Sequence, residues 1–136
     1  MPGDDATRNF HRAMPFAEVL GIEVVTLGAA EVKARVAWDA SRCTAGGILH
    51  GGVLMALADS CGGYCAFLNL PEGAGGTATI ESKTNFLRGV GSGGVTATST
   101  PLHTGRQTVV VETELRDDDG RLVAKTTQTQ AVLAGR

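Results

Sequence analysis

The stretch His50-Gly51-Gly52-Val53-Leu54-Met55-Ala56-Leu57-Ala58-Asp59-Ser60-Cys61-Gly62-Gly63-Tyr64-Cys65-Ala66-Phe67-Leu68-Asn69-Leu70 sets the architecture of this chain. From Val53 to Leu70 the only ionisable group beyond the weak acids Cys61, Tyr64 and Cys65 belongs to Asp59. A run this apolar, closed by Pro71 and the glycines at 73, 75 and 76, predicts a fully wrapped core helix from about Gly51 to Asn69. It approaches membrane-spanning length, but Asp59, Ser60, Gly62 and Gly63 interrupt it and it has no basic flank. The small positions Ala56, Ala58, Gly62, Gly63 and Ala66 would let a sheet approach the helix backbone. A lone carboxylate inside such a helix is costly to bury, so it is either paired or kept for chemistry.

Strand patterns surround this helix. Before it, two strands join near Gly28, and in the second Val32, Ala34, Val36 and Trp38 alternate with Glu31, Lys33 and Arg35. After it, strands are expected over about Thr77 to Arg88, Val95 to His103 and Gln107 to Leu115. Asp119-Gly120 turns the chain into a last strand from Arg121 to Leu133. An N-terminal helical segment from about Ala6 to Leu20, interrupted by Pro15, offers Phe10, Phe16, Val19 and Leu20 to the core. The order is helix, two strands, long helix, four strands. That is an α+β fold with the long helix lying on the concave face of one antiparallel sheet.

With 136 residues the chain fits one domain over 1–136, residues 1–15 forming an N-terminal extension. A net charge of −2 gives neither sign an excess, and 4% aromatic residues leave few stacking platforms, so neither nucleic acid nor a membrane is an expected partner. The start shows no secretory pattern, and three cysteines form no regular framework, so the expected setting is cytoplasmic with reduced thiols. Cys61 and Cys65 stand one helical turn apart without a second pair at ligand spacing, so no metal is expected.

Gly89-Val90-Gly91-Ser92-Gly93-Gly94 matches the spacing of a dinucleotide loop. The β-branched run that follows, Val95 to Thr100, is a strand and supplies no helix N-terminus for a pyrophosphate, so the glycines read as a turn. His50-Gly51-Gly52 is different, because glycines in the first turn of a helix expose N–H groups that have no intrahelical partner. Such a turn can hold an oxyanion; standing alone it could equally be a flexible lead-in. Asp59 follows His50 by nine positions. Along a helix this is roughly 13 Å at about 1.5 Å per residue, too far for both groups of one chain to reach one carbonyl. Two antiparallel helices across a two-fold axis would bring Asp59 of one copy to Gly51 of the other.

The pattern of His50-Gly51-Gly52, Val53 through Asp59, Asn85-Phe86-Leu87-Arg88, His103-Thr104-Gly105-Arg106 and Gly120-Arg121-Leu122-Val123-Ala124 resembles the phenylacetate-degradation (PaaI-type) branch of the hot-dog-fold acyl-CoA thioesterases. The resemblance covers about Phe16 to Leu133. It implies a hot-dog fold, a homodimer with sites at the interface and a dimer of dimers as the tetramer. It also implies a reaction taking an acyl-CoA to a free acid and coenzyme A, with coenzyme A part of the substrate and no separate cofactor. By this resemblance Gly51 polarises the thioester carbonyl and His50 helps place substrate or loop. Asp59 acts as general base or nucleophile, and Thr79 hydrogen-bonds it. Arg88 and Arg106 match positions near the nucleotide, while Lys83, Arg42 and His103 are lesser candidates. Gly52, Met55 and Tyr64 are expected at the substrate, with Phe67 and the N-terminal segment nearby. Many relatives carry Asn six residues before the His, where this chain has Thr44. A hydratase or dehydratase on the same fold and a non-catalytic acyl-CoA binding module remain the alternatives.

Overall fold

The computed structural model describes residues 2–135. Two short helices, α1 (Pro2–Ala13) and α2 (Pro15–Val19), precede strands β1 (Glu23–Leu27) and β2 (Val32–Ala37). Two 3-10 turns lead into the long helix α3 (Gly51–Leu68). Four strands follow, β3 (Ala74–Phe86), β4 (Gly94–Thr104), β5 (Thr108–Asp117) and β6 (Leu122–Ala134). They form one six-stranded sheet in the order β1-β2-β4-β5-β6-β3, and every pairing is antiparallel. The glycine-rich segment before β4 is a strand connection, as the β-branched run after it requires.

α3 packs against β2, β4, β5, β6 and β3, which is the hot-dog arrangement of a sheet around a helix. Period-2 alternation turns Val32, Ala34 and Val36 of β2, Val95 and Ala97 of β4, and Val109, Val111 and Leu115 of β5 into the core. Leu54, Leu57, Ala58, Cys61 and Cys65 face them from α3 at helical spacing, with Ala66 beside them. Beyond α3, Asn69 closes the helix by donating its side-chain N–H to the Cys65 and Ala29 carbonyls.

Two expectations change. The helix is not fully wrapped, because Met55, Asp59 and Phe67 form an exposed stripe along it. Gly63 continues that stripe, and a methyl there would meet nothing within 4 Å. Phe16 and Val19 do not enter the core; they are 59% and 75% exposed, because the break at Pro15 restarts the helix and turns Ala17 and then Ile22 inward instead. Phe10, within the segment 1–15, does enter the core as expected. It is fully buried and stacks on Tyr64 of α3 with ring centroids 5.3 Å apart.

β3 is an edge strand of thirteen residues that carries exposed Ile80 and Phe86, with Leu87 just beyond. A long edge with unpaired backbone and apolar side chains is a surface that chains normally cover.

Candidate active site

Asp59 sits on the uncovered stripe of α3, so in the protomer its carboxylate is exposed and pays little for its charge. It is nevertheless held. The Thr79 hydroxyl lies 3.3 Å from Asp59 Oδ1, and the Gln128 amide nitrogen lies 3.4 Å from the same oxygen. Behind Thr79, the Gln130 side-chain N–H donates to the Thr79 hydroxyl over 2.7 Å. A hydroxyl has a single proton, so one that accepts from Gln130 is left to donate to the carboxylate. No described residue bonds Asp59 Oδ2, so that oxygen is free to accept a further hydrogen bond.

The pairing of β3 with β6 makes this possible. Thr79 lies opposite Gln130 in the register, and the inward face of β6 presents Thr126, Gln128 and Gln130 toward α3. The two glutamines were not foreseen from the sequence. The available signal is the run Thr126-Thr127-Gln128-Thr129-Gln130, polar on both faces of a strand, whereas β4 and β5 each bury a single hydroxyl, Ser99 and Thr113, which bond each other.

Asp59 and Thr79 line a cleft of about 430 Å³ with Ala13, Met14, Tyr64 and Phe67 among its walls. Tyr64 and Phe67 meet edge to face at 6.1 Å. Met55 lines neither this cleft nor the one beside Gly51; it stands 39% exposed on the open stripe of α3.

The other expected group lies at the start of the helix, in a different hollow. Gly51 lines a hollow of about 370 Å³ with Ile48, Leu49, Leu54, Phe86, Leu87, Arg88, Gly89 and Val90. His50 is the N-cap of α3, and its Nδ1 accepts from the Gly52 N–H over 2.8 Å. The tripeptide is therefore an ordered cap. The Gly52 N–H is already used, Val53 and Leu54 donate to the His50 carbonyl, and no described residue accepts from Gly51. One donor with helix-dipole charge is thus left at the rim of the hollow. Phe86 closes over it, its ring 3.3 Å from where a Gly51 Cβ would stand.

Arg88 shares the Gly51 hollow, whereas Arg106 lines a separate one with His103, Gly105, Gln107 and Thr108. Arg42 is tied locally, donating to the Ala37 carbonyl. Thr44 uses its backbone N–H to close the loop onto Ile48, and its hydroxyl caps nothing in the 3-10 turn that follows. Among the described residues, no three His, Cys, Asp or Glu side chains gather where they could hold a metal.

Residues 46–124, which include the helix cap, all of α3 and strands β3 to β5, match the model of the Thioesterase superfamily. The chain belongs to that superfamily. Thioester hydrolysis is accordingly its activity at the family level. It is 33% identical over 116 residues to the proofreading thioesterase EntH of Cronobacter turicensis, covering 85% of this chain and 84% of the relative. Among solved structures it resembles thioesterase HI1161 from Haemophilus influenzae, with TM-score 0.82 and 33% identity over 88% of this chain and 82% of the other. The PaaI protein of Escherichia coli superposes with TM-score 0.84 at 23% identity over 94% of this thioesterase and 91% of that chain, a likeness in fold.

Proposed function

We propose that this thioesterase hydrolyses acyl-CoA as a homodimer, with each site taking the Gly51 N–H from one protomer and the Asp59 carboxylate from the other. Two dimers then associate into a tetramer. The observation that carries this reading is that Asp59 and Gly51 lie on one helix but line different clefts. Their separation along α3 is roughly 12 Å, eight residues at about 1.5 Å each. Neither cleft has both an oxyanion donor and a carboxylate until a second copy supplies the missing one. The exposed apolar stripe of α3 and the unpaired β3 edge are surfaces such a copy would cover.

In the proposed reaction the thioester oxygen accepts from the Gly51 N–H, which is preorganised and needs no rearrangement as negative charge builds on that oxygen. Asp59 Oδ2 takes a proton from water as the water oxygen bonds to the carbonyl carbon. The carbon–sulfur bond then breaks, the electron pair leaves with sulfur, and the proton returns to give the free thiol and the acid. Direct attack by Oδ2 on the carbonyl carbon, followed by hydrolysis of the anhydride, uses the same groups. His50 keeps the cap ordered and Thr79 fixes the carboxylate. Arg88, beside Gly51, and Arg106 supply positive charge for the phosphates of coenzyme A. The cleft walls at Met14, Tyr64 and Phe67 receive the acyl group. Coenzyme A enters as part of the substrate and no cofactor takes part. The proposal places the enzyme in the cytoplasm, where its three free thiols stay reduced.

The test is a steady-state screen of aliphatic and aromatic acyl-CoAs scored by free thiol, repeated with Asp59→Asn. Turnover of at least one thioester is expected, falling on the order of 10²-fold or more in the variant, the usual scale for losing a general base. Tight binding without thiol release, or equal turnover by the variant, would overturn the reading.

A further inference from the structure

Gln128 is fully buried and Gln130 is 2% exposed, both on the face of β6 turned to α3. A methionine would fill the same space without desolvating an amide, so two buried glutamines side by side need a reason. Gln128 sharpens the point. Its Oε1 has no hydrogen-bond partner and lies against the backbone of Gly62, where even a methyl carbon would stand 1.9 Å from it. Helix and strand thus approach at a glycine to admit an amide that is only half satisfied. Turning the amide over would aim Oε1 at Asp59 Oδ1, acceptor against acceptor. The orphaned oxygen is the consequence of pointing Nε2 at the carboxylate.

We infer that Gln128 and Gln130 are positioning residues for hydrolysis, holding Asp59 by Oδ1 so that Oδ2 is the reacting oxygen. Gln128 does so directly and Gln130 through Thr79, whose hydroxyl proton it directs to the carboxylate. Both donors converge on one oxygen from β3 and β6, so the carboxylate is fixed in rotation as well as in position. The hold comes from the sheet of the same protomer and is present before a partner or a substrate arrives. This inference rests on Asp59 being the acting carboxylate.

Gln128→Met keeps length and volume and removes the N–H. Its kcat is expected to fall on the order of 10-fold with KM unchanged, less than the ~10²-fold that a 1 Å misplacement of a reacting group can cost. Thr126→Val serves as the control. It deletes a hydrogen bond to Thr84 one step along the same inward face and should leave kcat at the wild-type value. In the Asp59→Asn background, Gln128→Met should cost nothing further, because there is no longer a reacting oxygen to place. An unchanged kcat in Gln128→Met, or an equal loss in both backgrounds, overturns the inference. Should Gln128→Met fail to fold, Gln130→Met made in the wild type and in Thr79→Val decides: a loss of kcat only in the first supports the relay, and equal losses overturn it. If Asp59→Asn turns over normally, the functional reading falls and this inference with it. If Asp59→Asn is crippled while Gln128→Met and Gln130→Met are not, only the inference falls.

Discussion

Gly51 and Asp59 occupy the same side of α3, two turns apart, with Met55 midway between them. Residues four apart on a helix lie nearly above one another, so the three form a single stripe. A single helix cannot bend this stripe around one carbonyl. An antiparallel copy can, and the two-fold axis that sets Gly51 against Asp59 of the second protomer must then pass close to Met55.

The cap at the start of α3 separates two substitutions that look alike. Gly51 is the first helical residue, a position that accepts proline, and His50 has φ −62° and ψ 134°, the extended backbone that a residue before proline adopts. Gly51→Pro should therefore fold once the Phe86 ring shifts from its 3.3 Å approach, and it should lose ~10²–10³-fold in kcat with the missing oxyanion donor. Gly52→Ala puts a methyl 2.9 Å from His50 Nδ1 and pushes the ring off its cap. It should cost stability, about 0.5–2 kcal/mol for a lost cap, more than it costs chemistry. Melting curves beside turnover distinguish the two; a Gly51→Pro enzyme of normal rate would move the oxyanion role elsewhere.

Arg88 and Arg106 stand in different hollows, so each should act on the coenzyme independently. Replacing either by Ala is expected to raise KM with kcat nearly constant, and less so as salt screens the phosphates. A pantetheine thioester, which lacks those phosphates, is the control. Both variants should match the wild type on it, and a loss of the same size there would deny them the phosphate contact.

Two thiols make the fold sensitive to alkali. Burial, with the nearby Cys65 adding to it, pushes Cys61 up to about 12 from an ordinary 9.0, and burial pushes Cys65 up to about 11. Between 9.0 and these values the folded chain keeps protons that the unfolded chain has released, so stability falls as pH rises through that window. The melting temperature should drop from about pH 8 to about pH 10.5. In a Cys61→Ala, Cys65→Ala double variant, weakened at neutral pH by lost packing, that drop should be smaller. Parallel curves for the two proteins would refute the assignment.

Much of this architecture is legible in residue types. Strands β2 and β5 follow from period 2 and the long helix from its apolar run, because one face of each element must be buried whatever its neighbours are. What α3 leaves uncovered is not legible in the same way. A run of this apolarity does not say that Met55, Asp59 and Phe67 face outward, since nothing among the described residues covers them. Phe16 and Val19 mislead for a local reason: the phase of the helix resets at Pro15, and hydrophobicity alone does not carry phase across a break. The separation of Gly51 and Asp59 along one helix could be read from spacing. Gln128 and Gln130 could not, because a strand with polar residues on both faces gives no sign of which set is inward until β3 and α3 are seen beside it.

The stripe makes its strongest demand on the dimer. If each site combines Gly51 of one protomer with Asp59 of the other, Asp59→Asn subunits and Gly51→Pro subunits are each inactive alone. Mixed under conditions of subunit exchange, they form heterodimers in which one site keeps both wild-type groups and the other has neither. Random pairing makes about half of all dimers mixed, each with one of two sites intact, so about a quarter of wild-type activity should return at equal subunit concentrations. Met55→Lys gives an independent reading of the same geometry. Near the two-fold axis the added charge faces its own copy, and like charges brought together oppose association, so the variant should shift to monomer and lose turnover although Gly51 and Asp59 are untouched. Sedimentation alongside thiol release follows both effects. No recovery in mixtures that demonstrably exchange subunits, or a fully active Met55→Lys monomer, would mean that one chain completes its own site and that the stripe on α3 faces something other than a second copy.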